Sequence, residues 1–399
     1  MTFLCISCYF KGSAFIRSCK EAGNTVYLLT VKSLEHADWP KGHIDEMFYM
    51  ESDSNAPVAL GNLAKGFAWF MQNKQVDRIV ALDDFDVEKA AYLREEFRIP
   101  GMGQTTARFF RDKLAMRVRA QAEGVPVPAF TDLFNNQRLA EFANRIEYPC
   151  LIKPRGEASA TGIQKIHSAE ELWKAVHGLG DRRHTYLVEQ FRPGDVYHVD
   201  SISHAGEIVF CQVSRYLDTP FDVAHGGGIF RSVSVPYNHV DAQMLRAMTA
   251  DVMHAFNMQF SASHTEWIRQ KDGKFVFLET ASRVGGAHVA EMVEAATSVS
   301  LWSEWAKLET AMATGTTYTP PERRFEQAGI IVSLSRFERP DMAPFNDPEV
   351  VWKMDKKQHV GVIVQSNSAD RVLELLDKYA SIIGRDYHAS APAPPKSTH

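Results

Sequence analysis

The sequence predicts an α/β lobe followed by α+β lobes. Apolar strand-like runs alternate with helical stretches over roughly the first hundred residues; from Tyr148 short, turn-bounded strands dominate; and 399 residues exceed what one ordinary core holds. The 45% hydrophobic and 23% charged fractions lie in the globular range, which excludes wholesale disorder. A net charge of -5 with no long Lys/Arg run offers no general attraction to phosphate backbones, so nucleic acid is not expected as a partner. No apolar run approaches the roughly 20 residues that span a bilayer, so no membrane association is expected. The opening MTFLCISCYF lacks a basic leader and a small-residue cleavage site and reads as a first buried strand.

Each element follows from local signals. Residues 2–10 read as a strand, Gly12-Ser13 opens a helix closed by Gly23, and strands follow at TVYLLTV and EMFYM. A helix through LAKGFAWFMQN leads to the strand RIVAL, which ends at Asp83-Asp84, and EKAAYLREEF is the next helix. Strands alternating with helices imply a parallel sheet covered on both faces, a Rossmann-like lobe over residues 1–105. That lobe has no G-x-G-x-x-G, so a dinucleotide is not indicated. One helix, TTARFFRDKLAMRVRAQAE, is expected next, ended by Gly124. YPCLIKP, GIQKI, TYLVEQF, YHVDSIS and EIVFCQVSRY read as strands with one helix, SAEELWKAV, among them. A helix from about Asp241 to Phe256 precedes HTEWIR and KFVFLET, which form a hairpin turned at Lys271-Asp272-Gly273. After the helix VAEMVEAATS and another near 301–313, residues 316–390 hold the strands AGIIVSLSRF and VGVIVQSN and one long helix, a small C-terminal α+β lobe. The tail 391–399 is expected to be disordered.

The five cysteines (Cys5, Cys8, Cys19, Cys150, Cys211) are odd in number and scattered, as for reduced thiols in a cytoplasm. Cys5 and Cys8 form a C-x-x-C, but both fall on the first strand, where residues three apart face opposite sides, and no second ligand pair follows. They read as core.

Four segments carry chemistry. Arg111-Asp112-Lys113 precedes the Gly-Val-Pro-Val-Pro run; in LIKPRGEASATGI, Lys153 ends a strand and a loop of small residues follows, including Gly156, Ser159 and Gly162. Small residues let backbone N–H groups close on phosphate oxygens while a lysine neutralises charge. VEQFRPG runs out from Glu189 into a Pro-Gly turn. In HTEWIR and FLETASRVGG, Glu266 and Glu279 can face one pocket and share a hard cation, and Arg283 offers a donor fork to a phosphoryl oxygen. Each segment alone has an ordinary reading as loop, solvated face or exposed helix pair; their joint order does not.

With these segments in place the chain resembles the ATP-grasp superfamily, in its carboxylate–amine ligase branch near the L-amino acid ligases and biotin-carboxylase-like proteins, over about residues 1–300. The resemblance implies a pre-ATP-grasp lobe over 1–105, an ATP-grasp domain of two α+β subdomains over 106–315 with a nucleotide lid at about 126–190, and the C-terminal lobe beyond. It implies ATP contacts from Lys113, Lys153, the loop with Gly156, Ser159 and Gly162, and the hinge Glu189, Gln190, Phe191 and Arg192; Mg²⁺, with Mn²⁺ as an alternative ion, on Glu266 and Glu279; and catalytic roles for Arg283 and Lys153. His225, Gly227, Arg231, Gly285 and Gly286 fall where the substrate would lie, within or after the loop YLDTPFDVAHGGGIFRSVSVP. Two positions depart from the pattern. Ala281 stands where many members carry a metal-binding Asn, leaving one or two metal ions open, and Val196 stands at the ribose-binding Glu position, with Asp195 adjacent.

The implied reaction joins a carboxylate, activated by ATP as an acyl phosphate, to an amine, with ADP and phosphate released and substrates that resemble amino acids. A bicarbonate-activating carboxylase and a catalytically inactive ATP-binding regulatory protein are the alternatives, and a homodimer is compatible with each. His264 and His288 read as local hydrogen-bonding groups. Asp83 and Asp84 either border the substrate pocket or cap the next helix.

Overall fold

In the computed structural model, residues 1–158 and 160–390 are described, so Ser159 and the tail 391–399 lie outside the described residues, as does the side chain of His225. The first lobe runs β1 (Thr2–Ile6), α1 (Ser13–Glu21), β2 (Thr25–Val31), β3 (Glu46–Met50), α2 (Pro57–Met71), β4 (Arg78–Ala81) and α3 (Val87–Phe97). Its four strands are parallel in the order β3-β2-β1-β4. Buried Phe3, Cys5 and Val26 cover one face, and Leu4, Ile6 and Ile79 the other. α1 starts at Gly12, whose φ of 79° is left-handed and where a Cβ would lie 2.5 Å from Leu82 Cδ1, so only glycine turns the chain there. β1 is shorter than expected. Cys8 lies beyond it, held by its N–H on Asp86 Oδ2 at 2.8 Å, so the opposite-face argument for the C-x-x-C does not apply; all five cysteines are nevertheless buried free thiols.

The single helix expected at 104–122 is two, α4 (Gln104–Phe109) and α5 (Lys113–Ala122). Asp112 breaks them apart: its backbone is extended and its carboxylate caps α5, accepting from the N–H groups of Leu114 and Ala115. A small antiparallel sheet follows, from β5 (Phe130–Asp132), α6 (Asn136–Arg145), β6 (Cys150–Pro154), β7 (Gln164–Ile166), α7 (Ala169–Leu179) and β8 (Tyr186–Gln190), in the order β5-β8-β6-β7. α6 was not expected from sequence; Asn135 caps it and Leu139, Phe142 and Ala143 bury its apolar face.

The remaining elements are β9 (Asp195–His204), β10 (Glu207–Tyr216), α8 (Pro220–Gly226), β11 (Phe230–Ser234), α9 (Val240–Ala255), β12 (Phe260–Arg269), β13 (Phe275–Ala281), α10 (Val289–Thr297), α11 (Leu301–Thr314), β14 (Gln327–Leu334), β15 (Val350–Lys353), β16 (His359–Ser366) and α12 (Ala369–Asp386). The strands form one eight-stranded sheet in the order β13-β12-β9-β10-β11-β14-β16-β15. Strands of the expected C-terminal lobe therefore extend the central sheet through the β11–β14 pair rather than building a sheet of their own. The segment 216–236, expected as a loop, contains α8 and β11. α1 packs on α11, with Phe15 and Trp305 edge to face at 5.1 Å, so the first lobe shares a core with the large sheet and its helices. Among the described residues no helix is long and apolar enough to cross a membrane.

Two glycines test this packing. At Gly361, on β16, a Cβ would sit 2.7 Å from the Ile331 carbonyl oxygen, whereas at Gly66, exposed on α2, it would meet nothing within 4 Å. Urea denaturation should show Gly361→Ala losing about 1–3 kcal/mol and Gly66→Ala gaining about 0.5–1 kcal/mol. Equal effects would contradict the close β14–β16 weld.

Candidate active site

The β12–β13 hairpin turns at Asp272-Gly273, where Gly273 is left-handed and Asp272 accepts from the Lys274 N–H at 3.1 Å. This register sets Glu266 directly opposite Glu279, with a ladder irregularity just after Glu266. Both carboxylates face one side; alternation turns Trp267 to the other, and the bulge that leaves Leu278 unpaired puts Phe277, two residues before Glu279, there with it, where both are fully buried. The carboxylates line a cleft of about 1020 Å³ between the first lobe, the small sheet and the large sheet, and Lys113, Lys153 and Arg283 line the same cleft.

Each cation is fixed by a different element. Lys113 opens α5; its ammonium lies 3.1 Å from Glu279 Oε2 and donates to the Glu157 carbonyl at 2.6 Å. Lys153, at the end of β6, is ion-paired with Glu189. Arg117 donates to the other Glu189 oxygen at 3.0 Å. Burial alone would raise the Glu189 carboxyl, but Arg117 and Lys153 bring it down to about 2. Arg283 forks onto Asp84 Oδ2 at 3.0 and 2.6 Å and donates to the Val284 carbonyl at 3.0 Å, which ties the turn after β13 to the first lobe. Burial opposes charge on Asp84, yet Arg283, Arg111 and Lys11 hold its carboxyl well below the usual range. Both readings of the acidic pair thus apply, one to each residue: Asp84 borders the cleft, while Asp83 accepts from the Phe85 N–H and pairs with Lys11 at 2.8 Å.

Glu266 is buried and accepts from the Tyr216 hydroxyl at 2.9 Å, with His264 Nε2 at 3.5 Å from the same oxygen. His264 Nδ1 lies 2.8 Å from Asp200 Oδ1, and His198 Nδ1 lies 2.7 Å from Asp200 Oδ2. Burial would lower the His264 pKa, but Asp200 and then Glu266 raise it to about 9. The oxygen-donor pair Glu266/Glu279 suits a hard divalent ion, and the contact of Lys113 with Glu279 shows that this carboxylate already accepts a cation.

The structure brings Lys113, Lys153, Glu266, Glu279, Arg283, Gly285 and Gly286 to the cleft, together with Glu189, Gln190, Phe191, Arg192 and Val196. Within the hinge, the N–H groups of Gln190 and Phe191 are taken by the carbonyls of Ala129 and Pro149. The Glu189 side chain holds Lys153 and Arg117. Gly156 accepts from Arg111 through its carbonyl, and Gly162, left-handed, packs over Pro154. Arg231 is a correction. It lies next to the cleft-lining Phe230 on β11, so alternation turns it away, and it pairs with Asp218 at 2.9 Å and Asp377 at 2.8 Å. Gly227 is also displaced: it ends α8 with a φ of 64°, facing Ser390. His288 caps α10 backbone-wise, pairs with Glu291 at 3.4 Å and stacks near Trp352 at 4.7 Å. Sequence reasoning missed Lys11, Arg117, His198 and Asp200. The Gly12 turn after β1 was the only signal near Lys11, and the others sit inside ordinary helix and strand patterns.

A family model described as the D-ala D-ala ligase C-terminus matches residues 120–217. An L-arginine-specific L-amino acid ligase of Bacillus subtilis is 28% identical over 234 residues, 57% of this chain and 56% of that protein. The chain thus spans about half the length of this curated relative. The crystal structure of an L-amino acid ligase from Bacillus licheniformis superposes with a TM-score of 0.74 at 17% identity, covering 97% of this chain and 98% of the other. The biotin carboxylase domain dimer of a Hydrogenobacter thermophilus 2-oxoglutarate carboxylase, solved with MgADP, ADP and bicarbonate, gives 0.70 at 16% identity over 97% and 90%. At these identities the structural likeness bears on the fold.

The Glu189 carboxyl, lowered to about 2, contributes stability that is complete above its unfolded value of about 4.5 and is lost as pH falls toward 2. Glu189→Gln leaves Lys153 and Arg117 without their buried counter-ion and should cost about 3–5 kcal/mol near neutral pH. Urea titrations across pH 7 to 3 should also show a shallower acid-side loss in the variant. Parallel pH profiles would contradict the buried ion triad.

Proposed function

We propose that this chain, whose fold is that of the ATP-grasp proteins, is a cytoplasmic ATP-dependent carboxylate–amine ligase acting on amino-acid-like substrates. The observation that carries the reading is the convergence of Lys113, Lys153 and Arg283 on the cleft that also displays Glu266 and Glu279. Phosphate and carboxylate repel one another, and a site that joins them must surround both with fixed cations. ATP lies in this reading between the small sheet and the hairpin, with the strand end Glu189–Arg192 beside the base and Lys153 on the phosphates. Glu266 and Glu279 would hold Mg²⁺, which when bound neutralises phosphate oxygens. Lys113 would exchange its contact with Glu279 for a phosphate oxygen. Arg283, fixed by Asp84, stabilises charge on the acyl-phosphate oxygens.

The substrate carboxylate attacks the γ-phosphorus and ADP leaves. The amine nitrogen then attacks the acyl carbon, the C–O bond to phosphate breaks, and the nitrogen loses a proton. The loop that carries Gly156 and Gly162 would cover the phosphates and exclude water. Amino acids as substrates are supported by the similarity to the L-arginine-specific L-amino acid ligase. The buried free thiols support a reducing compartment.

Incubation with Mg-ATP and mixed amino acids should yield an amide-linked product and ADP in equal amounts, read by mass spectrometry. Glu279→Gln and Arg283→Ala should each lower turnover on the order of a hundredfold or more. ADP release only with bicarbonate, or near-normal turnover in either variant, would contradict the reading.

A further inference from the structure

We propose that Asp200 is a positioning residue for the metal-binding carboxylate Glu266, acting through His264, and that it also seats the turn that carries Arg283. The inference rests on the reading that Glu266 and Glu279 hold a divalent ion. The residues form a row across the large sheet, because the registers place His264 opposite Asp200, Glu266 opposite His198, and Tyr216 opposite Ser232. His198 Nε2 lies 2.7 Å from Ser232 Oγ, and the Asp200 carboxylate takes His198 Nδ1 on one oxygen and His264 Nδ1 on the other. An ionised carboxylate only accepts, so Asp200 assigns the Nδ1 proton of His264 and fixes its ring, aiming Nε2 at Glu266 Oε1. Tyr216 donates to the same oxygen.

The second link runs to the arginine. A Cβ on Gly285 would lie 2.7 Å from Asp200 Oδ1 and 3.0 Å from His264 Nδ1, so the turn after Arg283 rests directly on this pair. Asp200 is fully buried and absent from the cleft wall, which rules out substrate contact. One carboxylate thus sets a metal ligand and the backbone beside the catalytic arginine. A purely structural role would lower stability without separating metal affinity from nucleotide affinity.

The test measures Mn²⁺ binding by electron paramagnetic resonance at saturating ADP, and ADP binding by calorimetry in EDTA, in the full chain and three variants. Asp200→Asn and His264→Gln should each weaken Mn²⁺ binding about tenfold or more and leave metal-free ADP affinity within about twofold. His264→Gln keeps the Asp200–His198 pair and so provides the readout if Asp200→Asn fails to fold. Glu266→Gln is the reference. If it weakens Mn²⁺ while the other two do not, the positioning role is overturned and the metal reading stands. If Glu266→Gln leaves Mn²⁺ affinity unchanged, both are overturned. Equal losses of Mn²⁺ and metal-free ADP affinity would also overturn the positioning role.

Discussion

The pairing register of β12 and β13 decides where the charges of this molecule meet. A slip of one residue would exchange Glu266 for Trp267 and drive the carboxylate into the apolar layer now filled by Trp267, Phe277 and Phe256. Burying a carboxylate there without partners costs several kcal/mol, so the hydrophobic layer enforces the polar one. The Asp272-Gly273 turn pins one end of the hairpin, and continuous pairing of β12 with β9 from Phe260 to Arg269 pins its length. The β9 row then supplies Asp200 and His198 beneath the site.

Three other elements reach this hairpin through charge. α5 sends Lys113 to Glu279, and the first lobe sends Asp84 to Arg283. The small sheet holds Lys153 beside Glu189 and, through Arg117 on α5, ties itself to the same helix. Buried pairs of this kind add little net stability, because desolvation offsets most of their attraction. Their consequence is geometric: cations carried by separate elements are held in fixed positions around one cleft. The shared core of α1 with α11 keeps the first lobe from drifting relative to Arg283.

Much of this was legible in the sequence. The alternation of apolar strands and helices gave the parallel lobe, and Asp-Gly between two apolar runs gave the hairpin that pairs Glu266 with Glu279. The split between α4 and α5 was hidden because helical periodicity continues through Phe110 and Arg111, and only the capping geometry of Asp112 reveals the break. α6 was legible but not read: behind the Asn135 cap, Leu139, Phe142 and Ala143 recur at helical spacing in a short stretch that is otherwise polar. Arg231 was misplaced because β11 was read as loop, and without a strand there is no alternation to assign a face. His198 and Asp200 gave no signal at all. A His-x-Asp in a buried strand acquires meaning only when the neighbouring register puts His264 across from it.

The central claim is that the ATP γ-phosphate passes through the substrate carboxylate. Amino acid labelled with ¹⁸O in its carboxyl group tests this directly, with the released phosphate read by the isotope shift in ³¹P NMR. The account predicts one ¹⁸O carried into inorganic phosphate for each amide formed, with ADP as the co-product. Unlabelled phosphate, or AMP and pyrophosphate in place of ADP and phosphate, would contradict it.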